Sequence, residues 1–88
     1  MVRKLELHRT NTKLNNMEYI ILLSVFSLIN EGKDQHFVRK FIENEIDVWK
    51  QKDRYKNSKT ILVYRSQWEM VFMNGDTVLA ILKTTLLS

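Results

Sequence analysis

The sequence predicts a single α+β domain over residues 1–88, with the element order β-α-α-β-β-β and two helices packed on a small antiparallel sheet. Two stretches between residues 15 and 52 carry apolar residues at helical spacing. Strand-like stretches follow between residues 60 and 84, and they contain an Asn-Gly hairpin signal. A chain of 88 residues is long enough for one domain.

Residues 2–8 alternate in the way a short strand does, with Leu5 and Leu7 on one face. Arg3 and Lys4 favour an edge position for this strand, because charged side chains discourage further pairing. A polar connector follows at residues 9–13.

The first helix is predicted at residues 15–31. Asn15 and Glu18 have capping-box spacing, and Gly32 suits the position just past a helix C-terminus. Residues 19–29 are apolar nearly all round the helix, which predicts burial on most sides. This run is too short for a membrane span, which needs about 20 apolar residues, so we expect no membrane association.

The second helix is predicted at residues 34–52, with Asp34 as its N-cap. Arg39 and Glu43 are spaced for an ion pair across one turn. One face of the helix carries apolar residues at three- and four-residue spacing. These are Phe37, Val38, Phe41, Ile42, Ile46 and Trp49.

A hairpin is predicted around the Asn-Gly pair at 74–75, because a type I′ turn needs positive φ at both central positions. A two-residue loop there sets Met70 opposite Leu79 and Trp68 opposite Ile81. Together with Phe72, these four residues form one predicted face of the sheet.

A second tight turn is predicted at residues 66–67, which sets Val63 opposite Met70 and Arg65 opposite Trp68. The face opposite to the Trp68 face is then still mostly apolar, so we expect it to be covered by helices or by a partner. Its predicted members are Leu62, Tyr64, Glu69, Val71, Val78, Ala80 and Leu82.

The formal charge is +4, and the basic residues concentrate in residues 1–16 and 50–65. Clustered basic charge is typical of proteins that bind a polyanion, although a short charged segment is also common as a solvated loop. On the first interpretation, the nucleic-acid-binding residues are basic side chains of the second cluster and of the last strand. They are Lys50, Lys52, Arg54, Lys56, Lys59 and Lys83.

The composition also excludes several classes of site. The chain has no cysteine, which rules out a disulfide framework and fits a reducing compartment such as the cytoplasm. Its two histidines, His8 and His36, are too few for a zinc site unless carboxylates complete it. No glycine-rich phosphate loop is present. We therefore expect no metal and no cofactor.

Three residues are candidates for catalysis without a metal: His36, Tyr64 and Arg65. Cleavage of RNA needs groups that move the proton of the 2′-hydroxyl and cations that stabilise the phosphate, and these side chains can supply both. Structural roles are also open to them. His36 suits a surface position at a helix start, and Arg65 suits stacking over Trp68. Trp49 and Trp68 both suit the core.

The element order, in a small basic chain without cysteine, resembles the RelE/ParE-type fold of bacterial toxin–antitoxin systems. Residues 36–46 are similar to an H-x-x-x-R-h-x-E-R-x-I helix (h apolar) of bacterial and phage domains related to that fold. His36, Glu43 and Ile46 match this motif, whereas Lys40 and Asn44 stand where arginine is usual. The resemblance implies an mRNA endonuclease, or a relative that poisons gyrase, neutralised by an antitoxin.

Two functions follow as expectations. The first is a toxin-like RNA-binding protein or mRNA endonuclease. The alternative is a non-enzymatic module of a phage or mobile element that binds a host protein, or a second copy of itself, through the sheet face. The residues expected to bind the partner are Leu62, Val71, Val78 and Leu82. A winged-helix DNA binder is disfavoured because the second helix carries Glu43, Glu45 and Asp47.

Overall fold

The computed structural model describes residues 2–87 and has the predicted α+β architecture. Its elements are β1 (Val2–Arg9), α1 (Asn16–Asn30), α2 (Gln35–Lys50), β2 (Thr60–Ser66), β3 (Glu69–Asn74) and β4 (Thr77–Leu87). The four strands form one antiparallel sheet in the order β1-β4-β3-β2, which confirms the edge position of β1. Neither helix reaches the length and hydropathy that crossing a membrane requires.

The predicted helix caps are all present. The side chain of Asn15 accepts from the backbone N–H of Glu18 at 2.8 Å, and the Glu18 side chain accepts from the backbone N–H of Asn15 at 2.9 Å. Gly32 has a φ of +84°, the left-handed conformation that ends α1. Asp34 accepts from the backbone N–H of Phe37 at 2.9 Å and starts α2.

Both helices pack on the same face of the sheet, and the core lies between them and that face. From α1 the core takes Met17, Ile21, Leu22 and Val25, and from α2 it takes Val38, Ile42 and Ile46. From the sheet it takes Leu5, Met70, Phe72, Leu79, Ala80 and Leu82. Within residues 2–87 the opposite face of the sheet carries no helix, so the described domain has two layers.

The expected burial of α1 on most sides is wrong. The side of the helix that faces away from the sheet is exposed, and a two-layer domain of this size has no third layer to cover it. Exposed large residues on this side are Tyr19, Ile20, Leu23 and Phe26.

The register predicted for the β3–β4 hairpin is also wrong. Asn74 is the last residue of β3 and pairs with Thr77, so the loop is Gly75-Asp76. Gly75 has a φ of +59°, and among residues 2–87 no residue other than a glycine has positive φ. Glycine at the first central position is the pattern of a type II′ turn, not the type I′ turn expected.

A β-bulge then changes the pairing further along the hairpin. Met73 pairs with Val78, but the next pair is Phe72 with Ala80, so Leu79 is the extra residue. Met70 therefore lies opposite Leu82 rather than Leu79.

The β2–β3 register differs from the prediction by one residue. Leu62 lies opposite Phe72, Tyr64 lies opposite Met70, and a bulge at Arg65 precedes a turn at residues 67–68. A shift of one residue moves every side chain of a strand to the other face. Leu62 consequently packs against the core on the helix side.

The two tryptophans differ from each other. Trp49 packs against the core, as predicted, and contacts Tyr55 edge to face with ring centroids 5.4 Å apart. Trp68 was expected in the core but lies in the β2–β3 turn and is 37% exposed.

Candidate functional site

A cleft of about 580 Å³ opens between the α1–α2 connection and the end of the sheet that holds the start of β1 and the β2–β3 turn. We call it the basic cleft. The basic and aromatic side chains that line it are Arg3, Lys4, Lys33, His36, Arg39, Tyr64 and Trp68. Its volume lies within the range of about 300–1,000 Å³ found for ligand pockets.

Two arginines of the basic cleft lie over two of its aromatic rings. The guanidinium carbon of Arg3 lies 3.6 Å from the ring centroid of Trp68, and that of Arg39 lies 4.5 Å from the ring centroid of Tyr64. A cation held over an aromatic face is stabilised by the quadrupole of the ring. A stacked guanidinium keeps N–H donors at its edge, so both arginines are positioned to bind a further group.

The basic cleft has an excess of positive charge. Among its lining residues, Asp34 is the one carboxylate against four arginine and lysine side chains. The Asp34 side chain already caps α2. Across residues 2–87, no ion pair involves Arg3, Lys4 or Lys33, whereas Nε of Arg39 lies 3.6 Å from Oε1 of Glu43. An anion is therefore the ligand that this cleft favours.

The side-chain amide of Gln35, which is hydrogen-bonded at only one end, also lines the basic cleft. The Thr84 hydroxyl donates to Oε1 of Gln35 at 2.7 Å, while the buried Nε2 of Gln35 has no hydrogen-bond partner among the described residues. Rotating the amide by 180° would exchange the two ends and still leave one of them unpaired. The first turn of α2 thus adds an unused hydrogen-bonding group beside the cations.

The structure brings two of the three predicted catalytic residues to the same cleft. His36 lies at the start of α2 and Tyr64 near the end of β2, and both line the basic cleft. Arg65 does not line it. Its Nη1 lies 3.3 Å from Oε1 of Glu69, and the ring of Trp68 is covered by Arg3 instead. The catalytic roles of these residues stay predictions.

The predicted nucleic-acid-binding residues lie apart from the basic cleft. None of the residues in the 50–59 segment or on β4 that were proposed for this role lines the cleft. Within the segment, Nζ of Lys52 lies 5.1 Å from the ring centroid of Trp49, and Tyr55 is buried. Lys83 pairs in register with Glu69 on one side and Glu6 on the other.

The four residues expected to bind a partner are divided between the two faces of the sheet. Leu82 is fully buried in the core and Leu62 packs against it, so both belong to the helix side. Val71 and Val78 belong to the open face, where Val71 pairs with Val63 and with Ile81. The predicted binding face therefore does not exist as one surface.

The basic and aromatic residues of the cleft that sequence reasoning missed are Arg3, Lys4, Lys33, Arg39 and Trp68. Lys33, His36 and Arg39 follow one another at three-residue spacing across the start of α2, which places them on one side of a helix start. That spacing is a usable signal for the α2 half of the site. The contribution of Arg3 depends on the pairing of β1 with β4 and could not be obtained from local sequence.

No group of three or more histidine, aspartate or glutamate side chains within residues 2–87 is arranged to hold a metal ion. No family model, curated protein or solved structure matches this chain.

Proposed function

We propose that the protein binds single-stranded RNA through the basic cleft. The observation that carries this proposal is the pair of stacked arginines, Arg3 over Trp68 and Arg39 over Tyr64, in a cleft with excess positive charge. The guanidinium edges supply donors for phosphate oxygens. Aromatic rings and guanidinium planes supply the surfaces on which unpaired bases stack.

A single strand fits this site better than a duplex. Bases in a duplex are already stacked and paired, and their faces are not available to Tyr64 or Trp68. An unpaired nucleotide can place its base against a ring or guanidinium of the cleft while Lys4 and Lys33 contact the flanking phosphates.

A finer proposal, which rests on this binding, is a toxin-like mRNA endonuclease. Either His36 or Tyr64 would accept the proton of a 2′-hydroxyl of the RNA, and the 2′-oxygen would then attack the adjacent phosphorus. The other would protonate the departing 5′-oxygen, leaving a 2′,3′-cyclic phosphate. Arg39, which lies over Tyr64, would stabilise the charge on the phosphate.

Binding can be measured by fluorescence anisotropy of a labelled, unstructured RNA of twelve nucleotides, titrated with the protein at several salt concentrations. If four cationic side chains contact phosphates, a plot of the logarithm of the binding constant against the logarithm of the salt concentration should have a slope of about −3, from roughly −0.7 per contact. Arg39→Gln should weaken binding at least tenfold and make the slope shallower by about one contact.

Lys56→Gln is the matched control, because it removes the same charge from the exposed segment between α2 and β2. Equal effects of the two substitutions would show general attraction to a basic protein and overturn the cleft assignment. Binding lost in Lys56→Gln but kept in Arg39→Gln would move the site to the 50–59 segment. Cleavage is tested separately, by gel analysis of the RNA with His36→Ala and Tyr64→Phe proteins that still bind it.

A further inference from the structure

The outward side of α1 is uncharged, and its large exposed side chains are apolar or aromatic, which neither the core nor the basic cleft explains. Leu23 is 52% exposed and Phe26 is 56% exposed, and Tyr19 lies on the same side. The helix contains no lysine or arginine, and its one carboxyl group, on Glu18, is buried on the opposite side. Contiguous exposed apolar surface of this kind marks an interaction site.

The same side of α1 also carries a recess. A pocket of about 160 Å³ lies between α1 and β1, and apart from Arg9 its lining is apolar or aromatic. Its lining residues are Leu7, Arg9, Leu14, Tyr19, Leu22, Leu23 and Phe26. An apolar cavity of about 150 Å³ is large enough to hold a benzene ring. The recess therefore matches a single aromatic side chain in size and chemistry.

We infer that a second copy of this chain covers the surface, with α1 packed antiparallel to α1 of the partner across a two-fold axis at Leu23. A two-fold interface uses the same patch on both copies, so the patch must contain both the protruding group and the recess that receives it. The α1 surface contains both, since exposed Phe26 lies beside the ring-sized recess.

The register of the pair follows from the position of the axis. Antiparallel helices centred on Leu23 place Phe26 of each copy about level with residue 20 of the other, beside the partner's recess. Tyr19, Leu23 and Phe26 recur at the spacing of about 3.5 residues that two helices need when they cross at about 20°.

The charges at the ends of α1 agree with this arrangement. The same register places Glu31, the C-cap of α1, level with residue 15 of the other copy, near Arg9 at the rim of the recess. The C-terminal end of a helix carries partial negative charge, which adds to the attraction of Arg9. Because α1 contains no lysine or arginine and Arg9 lies opposite the carboxyl group of Glu31, the pairing brings no like charges together.

The oligomeric state tests this proposal directly. Sedimentation equilibrium between about 10 µM and 1 mM, a range that covers weak and moderate dimers, should show a reversible dimer of the wild-type chain. Leu23→Glu brings two carboxylates together at the axis and should raise the dissociation constant at least a hundredfold. Val48→Glu is the control, because Val48 is an exposed apolar residue of α2 outside this surface. Circular dichroism establishes that both variants are folded.

A second test introduces no charged side chain. The chain has no cysteine, so Leu23→Cys introduces a single thiol at the axis, and mild oxidation should convert most of the protein to a disulfide-linked dimer. Val48→Cys should remain mainly monomeric. A wild-type monomer throughout the concentration range would overturn the proposal. So would a dimer unaffected by Leu23→Glu, or equal cross-linking of the two cysteine variants. None of these outcomes depends on RNA binding, because each is measured on the protein without RNA.

Discussion

The hydroxyl group of Thr60 donates a hydrogen bond of 2.6 Å to Oε2 of Glu18, and both side chains are almost completely buried. The same oxygen accepts from Nδ2 of Asn74 at 2.9 Å, while Oε1 accepts from the backbone N–H of Asn15. One carboxyl group thus joins the start of α1, the start of β2 and the end of β3. This contact fixes the first helix on the sheet at the end opposite to the basic cleft.

Replacing Glu18 by alanine should lower the free energy of unfolding by about 3 kcal/mol, because buried hydrogen bonds to a carboxyl group are lost and their donors stay buried. Glu18→Gln should also destabilise the protein, since in either orientation the amide NH₂ group, which cannot accept, faces at least one of the donors now bound to the carboxyl group. Urea unfolding followed by circular dichroism measures the change. Asp47→Ala, at an exposed position of α2, is the control and should shift the stability by less than about 0.5 kcal/mol.

The positions of Leu82 and Ile61 give a test of the sheet register. Leu82 is fully buried, whereas Ile61 is 43% exposed on the other face. Leu82→Ala should cost about 3 kcal/mol through lost burial and a cavity, and Ile61→Ala less than about 1 kcal/mol. Thermal or urea unfolding of both variants measures this difference. Similar values for the two variants would contradict the observed register.

Gly32 should tolerate asparagine better than alanine. Its φ of +84° is a left-handed conformation that disfavours a β-carbon, although no atom lies within 4 Å of the position that a β-carbon would take. Gly32→Ala should therefore destabilise by about 1 kcal/mol, which lowers the melting temperature by about 4–8 °C in a domain of this size. Gly32→Asn should lower it by less than half as much, because asparagine adopts this conformation more readily.

Trp68 provides an internal signal for binding in the basic cleft. In a Trp49→Phe variant Trp68 is the sole tryptophan. Addition of RNA should change the fluorescence emission of Trp68 at low salt and leave it unchanged at high salt, where the RNA no longer binds. The reciprocal Trp68→Phe variant retains Trp49, which packs on Tyr55 outside the cleft, and its emission should stay constant. A response from Trp49 alone would place the bound RNA near the 50–59 segment.

The features predicted correctly depend on residues that are close in sequence. Asn15 with Glu18, Gly32 and Asp34 determine where the helices begin and end, and these signals act within one helical turn. The element order follows from such local signals, because each helix and strand has its own apolar period.

The strand registers failed because they depend on contacts that are distant in sequence. The side chain of Asn74 bonds to Glu18, and Asn74 stays in β3 instead of entering the turn. The bulges at Arg65 and Leu79 then change which side chains share a face. The basic cleft was missed for a similar reason, since β1 brings Arg3 to Trp68 across the sequence.

The pairing of β1 with β4 has a consequence for synthesis. These strands are hydrogen-bonded neighbours, although they lie at opposite ends of the described chain. During translation β1 leaves the ribosome first and has no partner until β4 has emerged. A nascent chain that stops before β4 also lacks Leu79, Ala80 and Leu82 of the core. The four-stranded sheet is therefore complete only after β4 has been made, and chains interrupted before β4 are exposed to proteases and chaperones.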